Sequence, residues 1–150
     1  MPLRKTKRPL YERIGLTREE YYNNDILKPH ERDFVRRFSR LGEEMRWVKR
    51  DCKIAPSGIG YLPTNDFIWR GREWELKKPK VKKYNNIFKM MKRSTRQGKK
   101  NFMIDLGDST LSMNLILQLE TYNQRNPLYP IDRLYVVDRN SVTKIILRKK

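Results

Sequence analysis

The chain of 150 residues carries 35 Lys and Arg against 17 Asp and Glu, a net charge of +18, and 37% of it is hydrophobic. That supports one domain with a real core, leaves little room for a second, and excludes a disordered chain. A surplus of this size opposes a compact monomer through self-repulsion, and phosphate is its commonest counterpart, so nucleic acid is expected as the partner over an anionic membrane.

No stretch approaches the ~20 apolar residues of a membrane span. The start, Met1-Pro-Leu-Arg-Lys, has no apolar h-region, so no secretory signal is expected and the cytoplasm is the expected location. Cys52 is the one cysteine, which rules out an internal disulfide and a cysteine zinc site; His30 is the one histidine, which rules out a two-histidine mechanism.

In chain order, residues 1–10 are basic, contain Pro2 and Pro9, and read as a flexible arm ahead of a single domain over 11–150. Thr17-Arg-Glu-Glu20 has capping-box spacing, which predicts a short helix. Pro29 suits a first helical position, and Phe34, Phe38 and Leu41 share one face of a helix expected over about His30 to Leu41, stopped by Gly42. Glu44–Lys49 reads as a strand, and Ala55-Pro-Ser-Gly-Ile-Gly60 as a loop. Asp66–Arg70 and Glu73–Lys78 read as two strands turning at Gly71-Arg72 in a type II′ hairpin. Tyr84–Gln97 is an expected helix ended by Gly98, and Asn101–Leu106 a buried strand. Asp108 or Ser109 can cap a helix running to about Gln124, and Leu134–Val137 and Val142–Leu147 are two further strands. The order α-βββ-α-β-α-ββ predicts an α/β domain with a central mixed β-sheet flanked by helices.

The hairpin carries the candidate chemistry. With the turn at Gly71-Arg72, Asp66 pairs with Lys77 and Ile68 with Glu75. Asp66, Glu75 and Lys77 then share one face, and Phe67, Trp69, Trp74 and Leu76 the other. A one-residue slip would part Asp66 from the other two. Two carboxylates can hold a divalent metal that activates water, and a lysine can orient that water or neutralise charge on a reacting phosphate. Glu31 falls on the inward face of its helix with Phe34 and Phe38 and is a third candidate ligand. The competing reading is an ordinary ion-paired strand face, with Glu31 as a first-turn acid near the helix dipole.

Lys77 to Lys100 holds eleven Lys or Arg and no acid in 24 residues. Such a run can be a plain solvated face, but the lack of any acid argues against salt-bridge decoration and for a groove that tracks a nucleic-acid backbone. Lys78, Lys80, Lys82, Lys83, Lys92, Arg93 and Arg96 are its candidate contacts. Tyr21, Tyr22 and Tyr84 could stack on unpaired bases, although core packing suits each as well.

The spacing Asp66-x8-Glu75-x-Lys77 resembles the PD-(D/E)XK nuclease motif, with Thr64-Asn65 in place of the proline that usually precedes the aspartate. That resemblance implies a catalytic Asp66, Glu75 and Lys77 with Mg²⁺ or Mn²⁺. It also implies a helix Glu at Glu31 completing the metal ligands, and an active-site Gln at Gln97. Over about residues 30–148, the segments HERDFVRRFSRLG, NDFIWRGREWELKKPK, MKRSTRQGKKNFMIDL and IDRLYVVDRNSVTKII are similar to the C-terminal tRNase domains of contact-dependent inhibition toxins and their phage-borne relatives. This implies tRNA cleavage by a toxin-type effector, answered by an acidic immunity protein. The same region also looks like the barnase/EndoU/colicin/RelE-type RNases, which act without metal through the ribose 2′-OH. In that version Lys77, Arg93, Thr95 and Gln97 would bind the phosphate. A structural or restriction-type DNA endonuclease of a phage or mobile element, and a nucleic-acid-binding protein without catalysis, are the remaining alternatives.

Overall fold

The structure, a computed structural model, describes residues 8–49 and 65–149. The expected loop Ala55–Gly60 and most of the expected basic arm lie outside the described residues. Two short helices, α1 (Leu10–Arg13) and α2 (Arg18–Tyr21), lead into the long helix α3 (Pro29–Arg40). α2 starts where its capping box predicts: Thr17 Oγ1 accepts from the Glu20 amide at 3.1 Å, and the Glu20 carboxylate accepts from the Thr17 amide at 2.9 Å. α3 begins on Pro29, whose missing N–H costs nothing at that position.

Six strands follow: β1 (Arg46–Trp47), β2 (Phe67–Trp69), β3 (Arg72–Lys77), β4 (Asn101–Asp105), β5 (Arg133–Val137) and β6 (Val142–Lys144). They form one sheet in sequence order. β1, β2 and β3 are an antiparallel meander; β3, β4 and β5 run parallel; β6 is antiparallel to β5. The parallel pairs need crossovers, and these are α4 (Tyr84–Thr95) between β3 and β4, and α5 (Met113–Glu120) with α6 (Tyr122–Arg125) between β4 and β5. The chain is therefore a single α/β domain with a mixed six-stranded sheet.

Each sheet face is covered by its own apolar cluster. On one, Phe34, Val35 and Phe38 of α3 meet Trp47, Phe67, Trp69, Trp74 and Met103. On the other, Ile87 and Met91 of α4 and Leu115 and Leu119 of α5 meet Phe102, Ile104, Leu134 and Val136. Full burial of each such side chain contributes about 1.5–3 kcal/mol, which is why two narrow helical stripes suffice to fix the layers. No helix among the described residues is long and apolar enough to cross a membrane.

Two expectations are corrected. The hairpin turns at Arg70-Gly71, not at Gly71-Arg72: Trp69 pairs with Arg72, Ile68 with Glu73 and Phe67 with Trp74. Both turn residues have positive φ, 51° at Arg70 and 75° at Gly71, the mirror-image geometry whose twist matches the flanking strands. The pairing is thus displaced by two residues, so every side chain keeps its face. The helix expected from Asp108 starts at Met113 instead, capped by Ser112 Oγ on the Leu115 amide at 3.1 Å. The Leu111 amide is taken by Asp138 at 2.9 Å, which holds the preceding chain outside the helix.

Candidate active site

β3 positions the centre of the site. Trp74 and Leu76 point into the α3 core, so Glu75 and Lys77 must point to the opposite face, beside Phe102 and Ile104 of β4. Lys77 Nζ lies 3.1 Å from Glu75 Oε2. Lys99 stands just ahead of the parallel strand β4, and its Nζ lies 3.7 Å from Glu75 Oε1. Glu75 Oε1 is buried and receives no hydrogen bond.

Asp66, immediately before β2, is 2% exposed and anchored on β3. Its amide reaches the Trp74 carbonyl at 2.9 Å, and its Oδ2 accepts from the Leu76 amide at 2.8 Å. The Asp66 side chain therefore satisfies a backbone donor of the strand that carries Glu75. Its charge is felt there too. Burial first, and the Asp66 charge second, raise the Glu75 pKa above its ordinary value, while Lys77 and Lys99 offset this only in part. The Glu75 and Lys77 side chains remain 12% and 20% exposed, so neither is sealed beneath a helix.

Two neighbouring carboxylates, one with a buried oxygen lacking a donor, suit a hard divalent cation. Mg²⁺ in phosphate chemistry is commonly held by one or two carboxylates, with water and substrate oxygens completing its shell. Asp66 and Glu75 fit that role. Among the described residues no three His, Cys, Asp or Glu gather closely enough to hold a metal. Glu31 is thus not brought in as the third ligand: its Oε1 accepts from the Lys28 amide at 2.8 Å and caps α3.

Gln97 is exposed in the turn after α4, and no side-chain hydrogen bond links it to Glu75 or Lys77. Lys99, two residues on and 4% exposed, is the residue of this segment that approaches Glu75. His30, at the head of α3, is partly desolvated; that desolvation first, and then Lys78 and Lys28, lower its pKa below 6.5, against the opposing fields of Asp105 and Asp66. Asp105, fully buried at the end of β4, is gripped by Arg37 through two bonds of 2.9 and 2.7 Å.

The basic ridge runs from the site over α4. Lys78 lies half-buried, while Lys80, Lys82, Lys83 and Arg93 are exposed. Lys92 and Arg96 sit over the Tyr129 ring, 5.0 and 5.3 Å from its centroid. Thr95 Oγ1 donates to the Lys92 carbonyl at 2.7 Å, a bond within its own helix. Tyr21 and Tyr84 are core residues at 4% and 6% exposure, whereas Tyr22 is 60% exposed.

Lys99, Arg37 and Tyr129 are the neighbours that sequence reasoning missed. Only the parallel pairing of β3 with β4 brings Lys99 beside Glu75, and no local spacing encodes it.

The fold and site together define an α/β domain with a carboxylate–lysine cluster on one face of a mixed sheet, flanked by a basic helix. No protein-family model matches the chain, and none of the curated proteins or solved structures compared with it matches either.

Proposed function

We propose that the protein is a nuclease that hydrolyses phosphodiester bonds at Asp66, Glu75 and Lys77. The observation that carries this reading is the Glu75 carboxylate, with one oxygen paired to Lys77 and the other buried without a donor, in the field of Asp66. The succession of α3, a three-stranded meander, α4 and a parallel β4 supports it, since PD-(D/E)XK nucleases are expected to share that order.

Asp66 and Glu75 would hold Mg²⁺ or Mn²⁺, which when bound supplies an activated water and neutralises phosphate charge. Lys77 would donate to the phosphate as negative charge develops on it, and Lys99 would offset the charge of Glu75 from the far side. Water oxygen loses a proton and forms the new bond to phosphorus, the bond to the leaving sugar oxygen breaks, and that oxygen takes up a proton, so the proton count is unchanged. Lys78, Lys80, Lys82, Lys83, Lys92, Arg93 and Arg96 would carry the flanking backbone.

The toxin-like segments favour RNA, and tRNA in particular, cut in the cytoplasm by an effector that an acidic immunity protein neutralises. Purified protein incubated with total tRNA, and separately with plasmid and branched DNA, tests this with and without Mg²⁺. Cleavage of tRNA that disappears in EDTA and in Glu75→Ala and Lys77→Ala is expected. Cleavage confined to DNA would move the substrate. Full activity in EDTA would move the chemistry to a metal-free RNase, with His30 the only histidine available. Wild-type rates in both variants would sink the site.

A further inference from the structure

A cavity of about 350 Å³ opens where the start of β3 meets β5 and the chain after β6. Arg70, Arg72, Arg133 and Lys144 line it over Trp74 and Tyr135, and Asp132 is the one acid in the lining. Arg70 is already engaged, 4.2 Å over the Trp69 ring and 3.4 Å from Glu43. Arg72, Arg133 and Lys144 form no ion pair among the described residues. Three uncompensated cations therefore converge on one concavity, and they come from three different strands.

Alternation along β3 sets Arg72 and Trp74 on the reverse side of the strand from Glu75, so the β3 wall of this cavity faces away from the cleavage site. A small inorganic anion would use the cations and leave the accessible apolar lining of Tyr135, Ile146 and Leu147 idle. A nucleotide unit uses both, with phosphate on the guanidinium groups and sugar or base on that lining. The volume sits at the low end of the ~300–1,000 Å³ of small-ligand sites, which suits one nucleotide of a single strand and excludes a duplex. A strand leaving the site round the Arg70-Gly71 turn passes Arg70 and Arg72 before it reaches the cavity.

We infer that this cavity is a second seat for the nucleic-acid substrate, taking a single-stranded segment outside the cleavage site. The inference rests on the nuclease reading for the identity of its ligand, but the cavity binds by its own residues. Long substrates gain affinity from it, and a dinucleotide gains none.

The test uses the full chain carrying Glu75→Gln, so that nothing is cut, with fluorescein-labelled tRNA followed by anisotropy at several salt concentrations. Adding Arg72→Ala, Arg133→Ala and Lys144→Ala together should weaken binding about tenfold and lower the slope of log K against log salt by about 1, for the one or two phosphates of the seated nucleotide. The charge-keeping Arg72→Lys, Arg133→Lys variant should retain most of the affinity, which separates lost charge from lost fold. In the cleaving protein the triple substitution should raise KM for tRNA and leave kcat, and dinucleotide cleavage, unchanged. Unaltered affinity and salt slope in the triple variant would overturn the second seat while leaving the nuclease reading intact. Adenosine monophosphate that binds the cavity without displacing tRNA would overturn it as well. Tight tRNA binding through these cations, with no cleavage by the wild-type chain, would uphold the seat and overturn the nuclease reading instead.

Discussion

Lys77 holds Glu75 from two places along the same strand, Nζ to Oε2 at 3.1 Å, yet the Glu75 carboxyl still gives up its proton less readily in the fold than in water. The ion pair does not repay the burial of the acid and the presence of Asp66. A carboxylate kept under such tension is costly to the fold and useful to a cation or to a reaction.

The pH dependence follows from that tension. The folded pKa of Glu75 lies above its ordinary 4.5, so the folded chain retains this proton where the unfolded chain has released it. Its contribution to stability is fully present below pH 4.5 and is lost as the pH rises through the folded value. Glu75→Gln, which mimics the protonated acid, should therefore raise the melting temperature at about pH 8 and leave it unchanged at about pH 4, while abolishing cleavage at both. Equal melting temperatures at the two pH values would mean that Lys77 and Lys99 compensate Glu75 in full.

Asp66 serves the fold and the site together, and two substitutions separate the duties. Asp66→Ala leaves the buried Leu76 amide without its 2.8 Å acceptor and should cost about 1–3 kcal/mol in urea unfolding, besides ending cleavage. Asp66→Asn keeps an acceptor oxygen and should keep most of the stability, yet cleave no better than the alanine variant. An asparagine variant with normal activity would remove Asp66 from the chemistry.

The Arg37–Asp105 pair ties α3 to the end of β4, with Asp105 wholly buried and the Arg37 side chain 15% exposed. Asp105 also accepts from the Gly107 amide at 2.8 Å. Asp105→Ala strands a charge and a backbone donor and should cost about 3–5 kcal/mol by urea unfolding. Replacing the pair with Arg37→Met and Asp105→Leu together should recover a large part of that loss. A loss below about 1 kcal/mol in the single variant would show that Arg37, still 2.9 Å from Asp33, relaxes to that partner.

Local signals were legible in the sequence and long-range ones were not. The Thr17–Glu20 box and Pro29 mark helix starts because the groups that satisfy each other lie within one turn. The faces of β3 followed from alternation and survived a misplaced turn, because a two-residue displacement preserves parity. The turn was misplaced because a glycine was expected first in it, whereas Arg70 takes the positive φ and gains Trp69 beneath its guanidinium. Asp108 or Ser109 was expected to cap α5, and Ser112 caps it instead. Asp138, far along the chain, sets this through the Leu111 amide. Glu31 was expected in the site from its helical face and from the resemblance, neither of which shows the Lys28 amide that its carboxylate accepts from.

Lys99 and Gln97 offer the clearest contrast between the observed site and the expected one. Lys99 brings a buried ammonium to 3.7 Å from Glu75 Oε1, while the Gln97 side chain stands exposed beyond the end of α4. Lys99→Met removes a charge that lowers the Glu75 pKa, so that pKa should climb further. If cleavage needs Glu75 ionised, the acid limb of its pH–rate profile should move to higher pH, with rates converging on wild type at the alkaline end. Gln97→Ala should leave both the profile and the rate as they are. A Lys99→Met enzyme with an unmoved profile would make Lys99 a packing residue, and a tenfold loss in Gln97→Ala would return Gln97 to the site.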